Sequence, residues 1–262
     1  LIKEVEGSVI TFSHVGYEDK KESAKKDMVV YLTKNVLELN EITVKSGFNN
    51  ESFSKSTNSV TVIQQNDIRD SGADHFNEIV DRISNLNWAG GTSRPRYFQI
   101  RGVGERSQYF GEGSPNFSIG YALDDIDLSG LGMLGQLFDL NQIEVFKGPQ
   151  SSIYGSNAIG GLIALKSNKP SNKNTYRYSL TVGNDGKKGV NGLVNFKIIQ
   201  NLLLRISSSY NYSNGFRKNN YRNVDNSNRK DEIFIRAKLL FTPFQHFSLL
   251  GTVISSDFRN GY

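Results

Sequence analysis

Three kinds of hydrophobic patterning succeed one another along the chain. From residue 175 onward apolar and polar positions alternate strictly, the two-residue period of strands with one face covered. Tyr176, Tyr178, Leu180 and Val182 fall on one face, and Arg177, Ser179 and Thr181 on the other. Leu204, Ile206, Ser208, Tyr210 and Tyr212 likewise oppose Arg205, Ser207, Ser209 and Asn211, while Ile233, Ile235, Ala237, Leu239 and Phe241 oppose Arg236 and Lys238. Each run is roughly the nine to eleven residues that a tilted membrane-crossing strand needs. The connections at 198–201 and 243–246 are short, whereas 213–231 is long and polar. Short turns at one end and long loops at the other are the pattern of a membrane barrel, although a soluble β-sandwich shares the period.

Between residues 59 and 170 the pattern is mixed. Ser59 to Gln64 reads as a strand, and Asn66 is a candidate cap for a helical turn through Arg69. Phe76, Ile79, Val80 and Ile83 recur at helical spacing, which predicts an amphipathic helix over 74–83. Strands are predicted over 97–101 and 117–128, and a short helix over 135–141. The stretch 143–165 then reads as strand, tight turn, small-residue loop and strand. Gly148 and Pro149 stop the first strand, and Gly155, Gly160 and Gly161 allow close backbone approach. The predicted fold is an α+β unit, a mixed sheet with short helices, followed by antiparallel strands.

The first 58 residues are the least patterned. Val9–Phe12 and Met28–Leu32 predict two strands around a charged turn, Glu18 to Asp27. Residues 35–58 are a polar linker rich in Asn, Ser, Lys and Glu, interrupted by the short β-prone run Leu39-Asn-Glu-Ile-Thr-Val44.

Composition narrows the classes. At 262 residues the chain can hold one or two domains and bury a sizeable core. It has no cysteine, which removes disulfides, thiol catalysis and iron–sulfur ligation. No run approaches the length of apolar residues a membrane helix requires, which leaves a barrel open. The net charge of +5 permits an anionic partner. Lys and Arg are scattered without a stripe, so the reading is a solvated basic surface and no nucleic acid. Both ends look cut, starting at Leu1 without a leader and stopping after a strand-like run, so a fragment of a longer protein is expected.

Candidate chemistry is sparse. Gly130, Gly132 and Gly135 match the spacing of a dinucleotide fingerprint, but only two turns of helix fit before the next strand. The residue at the expected acidic offset is Gly155. A loop that needs backbone freedom is the better reading. Asp124, Asp125 and Asp127 lie far in sequence from His14, His75 and His246, so no metal site is assigned. No arrangement suggests nucleophilic catalysis. No cofactor and no catalytic residue are expected.

The segment Ile143-Glu-Val-Phe-Lys-Gly-Pro149, followed by Tyr154-Gly155 and Gly160-Gly161, resembles the hallmark of the plug domain of TonB-dependent outer-membrane receptors. Phe98-Gln-Ile-Arg-Gly102 is similar to the Ile-Arg-Gly strand of that family, and Gly102 through Asp127 resembles its iron–siderophore-like branch. Ile10-Thr-Phe-Ser-His-Val-Gly-Tyr-Glu18 resembles the end of a carboxypeptidase-regulatory-like β-sandwich, and Leu39–Val44 is similar to a TonB box. The order implied is a sandwich tail (1–34), a linker with the box (35–58), the plug (59–170) and the first strands of a transmembrane barrel (171–262) of about 22 strands.

The resemblance also implies function. The expected activity is TonB-dependent uptake of a scarce ligand, foremost an iron–siderophore complex, across the outer membrane. The alternative is a soluble β-rich binding or adhesion module. Expected partners are TonB with its ExbB/ExbD energising complex, outer-membrane lipid and the small-molecule ligand. Glu41, Ile42, Thr43, Val44 and Lys45 are the expected TonB contacts, adding as a strand to a partner's sheet edge. Arg94, Arg96, Tyr97, Arg106, Tyr109, Phe110 and Phe117 combine charge and aromatic surface in loops, as ligand contacts would. Arg101, Gly102, Lys147, Gly148, Pro149, Tyr154, Gly155, Gly160 and Gly161 are expected to shape the plug rather than touch ligand.

Overall fold

The computed structural model describes residues 9–13, 20–23, 28–32, 43–46, 49–52, 58–89, 93–105 and 117–261. Strands β1 (Val9–Phe12) and β2 (Lys20–Ser23) form an antiparallel pair. The second strand therefore falls inside the charged stretch, not at Met28–Leu32, of which 28–32 carries no strand. A hairpin closing on the nearer segment spans a shorter loop, which costs less chain entropy. Strands β3 (Thr43–Ser46) and β4 (Asn49–Ser52) form a second small hairpin.

The central unit is a five-stranded mixed sheet. It uses β5 (Val60–Gln64), β8 (Ile119–Leu123), β9 (Ile126–Asp127), β10 (Leu140–Phe146) and β11 (Gly161–Ser167), in the order β5-β10-β11-β8-β9. β10 runs antiparallel to both of its neighbours, and β11 lies parallel to β8. A separate hairpin, β6 (Leu86–Ala89) with β7 (Tyr97–Ile100), packs beside it. Two short helices, α1 (Gln65–Asp70) and α2 (Ser151–Tyr154), complete the unit. β8 and β11 are apolar almost throughout because both faces of this sheet are covered. The core joins Ile68, Phe76, Ile79 and Val80 to Phe98, Tyr121, Ile143, Ile163 and others. Phe98 stacks on Tyr121 with ring centroids 5.4 Å apart, and Phe76 meets Phe98 edge-on at 5.5 Å.

Three predicted elements take other forms. The helix expected over 74–83 is two 3₁₀ turns, Phe76–Glu78 and Val80–Arg82. Its apolar face is as predicted, since Phe76, Ile79, Val80 and Ile83 are all buried. The segment is short and β-branched at Ile79, Val80 and Ile83, and the Phe76 N–H is drawn off to the Gly135 carbonyl at 2.8 Å. The helix expected over 135–141 is absent. Asp139 stands at φ 61°, which no right-handed helix passes, and a 3₁₀ turn at Gly132–Leu134 precedes it. The strand expected over 117–128 folds into a hairpin. Asp124 and Asp125 both have positive φ, 50° and 67°, the backbone pattern of a type I′ turn. The three aspartates therefore do not share a strand, and the described residues hold no group of His, Asp or Glu fit for a metal ion.

The Gly130–Gly135 loop is shaped by packing. A Cβ on Gly135 would stand 2.8 Å from the Tyr121 hydroxyl and 3.0 Å from Phe76 Cβ. That space is filled by core, not open to a dinucleotide.

Residues 175–258 form an antiparallel meander of five strands: β12 (Thr175–Val182), β13 (Lys188–Ile199), β14 (Leu202–Ser213), β15 (Lys230–Phe244) and β16 (Phe247–Phe258). Their connections alternate in length. Residues 200–201 and 245–246 turn tightly at one end, and 183–187 and 214–229 span the other. The alternation read from sequence is realised as two faces. Tyr176, Tyr178, Leu180, Val182, Val190, Ile233, Ile235, Leu239, Phe241, Leu249 and Val253 stand exposed on one side. Arg205, Ser207, Ser209, Glu232, Arg236 and Lys238 point the other way and are covered by the mixed unit, and Ile254 of β16 packs on the core. Among the described residues the sheet does not close on itself.

Candidate functional site

The turn after β10 builds one end of the central unit. Lys147 N–H donates to the Ser59 carbonyl at 2.8 Å, and its ammonium donates to Ser84 Oγ at 2.7 Å. Arg101, at φ 54°, donates from its backbone to the Asn85 carbonyl at 2.9 Å and from its guanidinium to Ser59 Oγ at 3.1 Å. Burial, and then the nearby Arg101 charge, hold the Lys147 ammonium below its usual range. Pro149 leads into α2. Tyr154 Oη donates to Asp125 Oδ1 at 3.0 Å, tying α2 to the hairpin turn, and burial with the Asp125 charge pushes the phenol up. Gly161 stands at φ 155°, and a Cβ there would fall 2.5 Å from the Phe146 carbonyl oxygen.

The loop residues expected to meet a ligand divide. Arg96 is exposed, and Tyr97 is buried with its ring stacked on the half-buried Phe117 at 6.0 Å. Arg106, Tyr109 and Phe110 lie outside the described residues. Arg94 is a correction. It is 3% exposed and turned away from solvent onto the strand wall, not presented as a ligand contact. Its Nε donates to Glu232 Oε1 at 2.7 Å, its Nη2 to Glu232 Oε2, and its Nη1 to Asn77 Oδ1 at 2.9 Å. Proline follows it in the chain, and Pro95 is itself buried, so the backbone there is fixed against the core.

Glu232 was not singled out by sequence reasoning. It is 1% exposed and also accepts from Gln136 Nε2 at 3.3 Å and Asn260 Nδ2 at 2.6 Å. Around it Lys230 pairs with Glu78 at 3.2 Å and Lys187 with Asp74 at 2.8 Å. Burial alone would raise the Glu78 carboxyl. Lys230, the Asp74 backbone N–H and Arg94 outweigh it and hold the group below the usual carboxylate range. Lower on the wall Arg205 Nε donates to Asp139 Oδ2 at 2.8 Å, and Arg236 Nη2 donates to the Phe138 carbonyl at 2.9 Å. The available signal was parity: Glu232, Arg236 and Lys238 are charges on the face of β15 opposite its apolar stripe.

Family comparison bears on this geometry. Residues 52–162 match the TonB-dependent receptor plug domain model, a range holding all five strands of the mixed sheet through the start of β11. Residues 52–162 are thus similar to the plug domain of TonB-dependent receptors. The ferrioxamine B receptor of Salmonella typhimurium is 29% identical over 143 residues, covering 50% of this chain and 18% of that receptor. Among solved structures, the ferripyoverdine receptor of the Pseudomonas aeruginosa outer membrane matches 82% of this chain with a TM-score of 0.67 and 15% identity, over 27% of its own length. The ferric yersiniabactin uptake receptor FyuA of Yersinia pestis matches 72% of the chain with a TM-score of 0.64 and 19% identity, over 30% of its own. The chain thus spans about a fifth to a third of the length of these relatives. The likeness extends past the plug, so β12–β16 share the fold of the barrel strands in these receptors.

The expected coupling segment is not a bare leader. Glu41 and Ile42 lie outside the described residues, but Thr43 to Ser46 pair with Asn49 to Ser52. Val44 is fully buried, and the Thr43 carbonyl accepts from Gln142 Nε2 at 2.8 Å. The same Gln142 amide donates to the buried Glu144 at 2.7 Å, which also holds Lys166. Thr43–Ser46 is therefore docked on β10 of the plug. Lys45 belongs to the strand by its backbone.

Proposed function

We propose that this chain is the plug and first wall of a receptor that takes up an iron–siderophore complex across the outer membrane, driven by TonB with its ExbB/ExbD complex. The observation that carries the reading is the two-sided sheet β12–β16. Its outer face is apolar from strand to strand, with Tyr178 84% exposed, as lipid contact requires, while the charged inner face of β14 and β15 is covered by the plug. A soluble binding or adhesion module would have no use for such an outer face.

The ligands for which the relatives are named, ferrioxamine, ferripyoverdine and ferric yersiniabactin, support ferric chelates as the ligand class. We assign ligand contact to the exposed Arg96, the Tyr97–Phe117 stack and the segment of Arg106, Tyr109 and Phe110. The longer barrel connections then face outward and the two-residue turns face the periplasm. We assign the TonB contact to Glu41–Lys45, which would add as a strand to a partner sheet. The domain division is the one read from sequence: sandwich tail, linker, plug and barrel, with boundaries at 34, 58 and 170.

The reading is tested by fractionating cells that express the full-length receptor and titrating the purified protein with ferrioxamine B and with a ferric catecholate. Recovery from membranes only with detergent, with saturable binding of at least one chelate, is expected. Recovery in the soluble fraction without detergent contradicts it.

A further inference from the structure

We propose that Glu232, a buried residue of the strand wall, is a positioning residue that locks the plug's ligand-facing segment and the long connection 214–229 into one surface. The inference rests on the uptake reading above, because that reading makes these two segments the ones that face the ligand.

The carboxylate is a hub where three parts of the chain converge. From the plug, Arg94 grips both of its oxygens and Gln136 adds a third donor. From the end of β16, Asn260 adds another at 2.6 Å. Arg94 stands two residues before the exposed Arg96 and three before Tyr97. On the wall side, Glu232 stands near the start of β15, just after the connection 214–229 ends. A second contact repeats the link. Lys230, the first residue of β15, pairs with Glu78, which is itself 3.6 Å from Arg94. The connection carries Phe216 and Tyr221 well exposed among Arg217, Lys218 and Arg222, a surface suited to an anionic chelate.

Structure at this rim could be kept by less. A wall contact alone would need only Asn260, and a plug contact alone only Arg94 and Asn77. Instead one buried carboxylate takes donors from both bodies, so neither segment can shift without exposing or stranding its charge. Charge-assisted bidentate bonds also fix angle as well as distance. A ligand seated between the plug segment and the connection therefore meets a preorganised pair of surfaces, and the ordering cost falls before it binds.

Hydrogen exchange in the purified full-length receptor tests the link without any ligand. Glu232→Gln, which keeps the shape but offers Arg94 a neutral partner, should raise exchange about tenfold in both 93–105 and 214–229. Arg94→Lys, which keeps the charge but cannot grip both oxygens, should do the same. Faster exchange in one segment only, or in neither, overturns the proposal. Where wild type binds ferrioxamine B or a ferric catecholate, Glu232→Gln should weaken that binding about tenfold while leaving the order of preference among chelates unchanged. Wild-type affinity in a variant with both segments loosened also overturns it. Absence of chelate binding by wild type defeats the uptake reading instead, and the exchange result still decides the link.

Discussion

Lys238 of barrel strand β15 places its ammonium 2.8 Å from Asp124 Oδ2, in the positive-φ turn between plug strands β8 and β9. The Lys238 side chain is almost fully covered, and Asp124 also accepts from the Ser167 N–H at 2.8 Å and hydroxyl at 2.7 Å. Removing one partner strands the other in the interior. Asp124→Ala should destabilise the plug–barrel unit by about 3–5 kcal/mol, and adding Lys238→Met should recover most of that loss. Urea denaturation of the full-length receptor in detergent reads both. Equal stability of the single variant and wild type would mean that Lys238 finds water or another carboxylate there.

Gly161 combines a φ only glycine adopts easily with a neighbouring carbonyl where a Cβ would sit. Gly161→Ala should therefore cost about 1–3 kcal/mol of plug stability, with faster exchange of the amides of β10 and β11. Gly148, with nothing near a Cβ, is the matched control and should tolerate Ala far better.

The outer face of β12–β16 makes its own prediction. Ile235 points away from the plug near the middle of β15. Ile235→Arg should cost about 2–4 kcal/mol if that face meets the hydrocarbon of the membrane. The reading is folded receptor recovered in the outer membrane, which should drop. Phe216→Arg, in the connection 214–229, should leave that amount unchanged.

Glu78 sets a pH dependence. Its carboxyl is held below the usual range, so its contribution is present above the unfolded value of about 4.3 and is lost as pH falls through the lower folded value. Between pH 7 and 5 wild type and Glu78→Gln should differ by a constant amount in urea midpoint. Below about pH 4 the difference should shrink. Lys187 has the opposite sense. Its bond to Asp74 raises its ammonium, so that contribution holds through neutral pH and fades only as pH rises through the raised value.

What was legible in the sequence follows the range of the forces involved. The strands β12–β16 were readable because a two-residue period is a local consequence of one apolar outer face and one polar inner face. The turn at Gly148-Pro149 was readable because Pro and Gly restrict their own backbone. The helix over 74–83 was misread because its apolar spacing is set by the core it packs on, and the Gly135 carbonyl that draws off the Phe76 N–H lies some 60 residues away. Arg94 was misread for the same kind of reason. Beside Pro95, Arg96 and Tyr97 it resembles a loop contact, and only folding brings Glu232 to it from far along the chain. Thr43–Ser46 reads as a free strand in a polar leader, while its docking on Gln142 depends on where β10 falls.

Uptake of radioactive iron by cells carrying the full-length receptor, with and without a functional TonB, tests the central claim most directly. Cells should accumulate iron from ferrioxamine B or a ferric catecholate only when both receptor and TonB are present, and Ile42→Pro should abolish accumulation while sparing chelate binding. Accumulation that is the same without TonB, or none from any ferric chelate by cells with folded receptor in the outer membrane, would contradict the account.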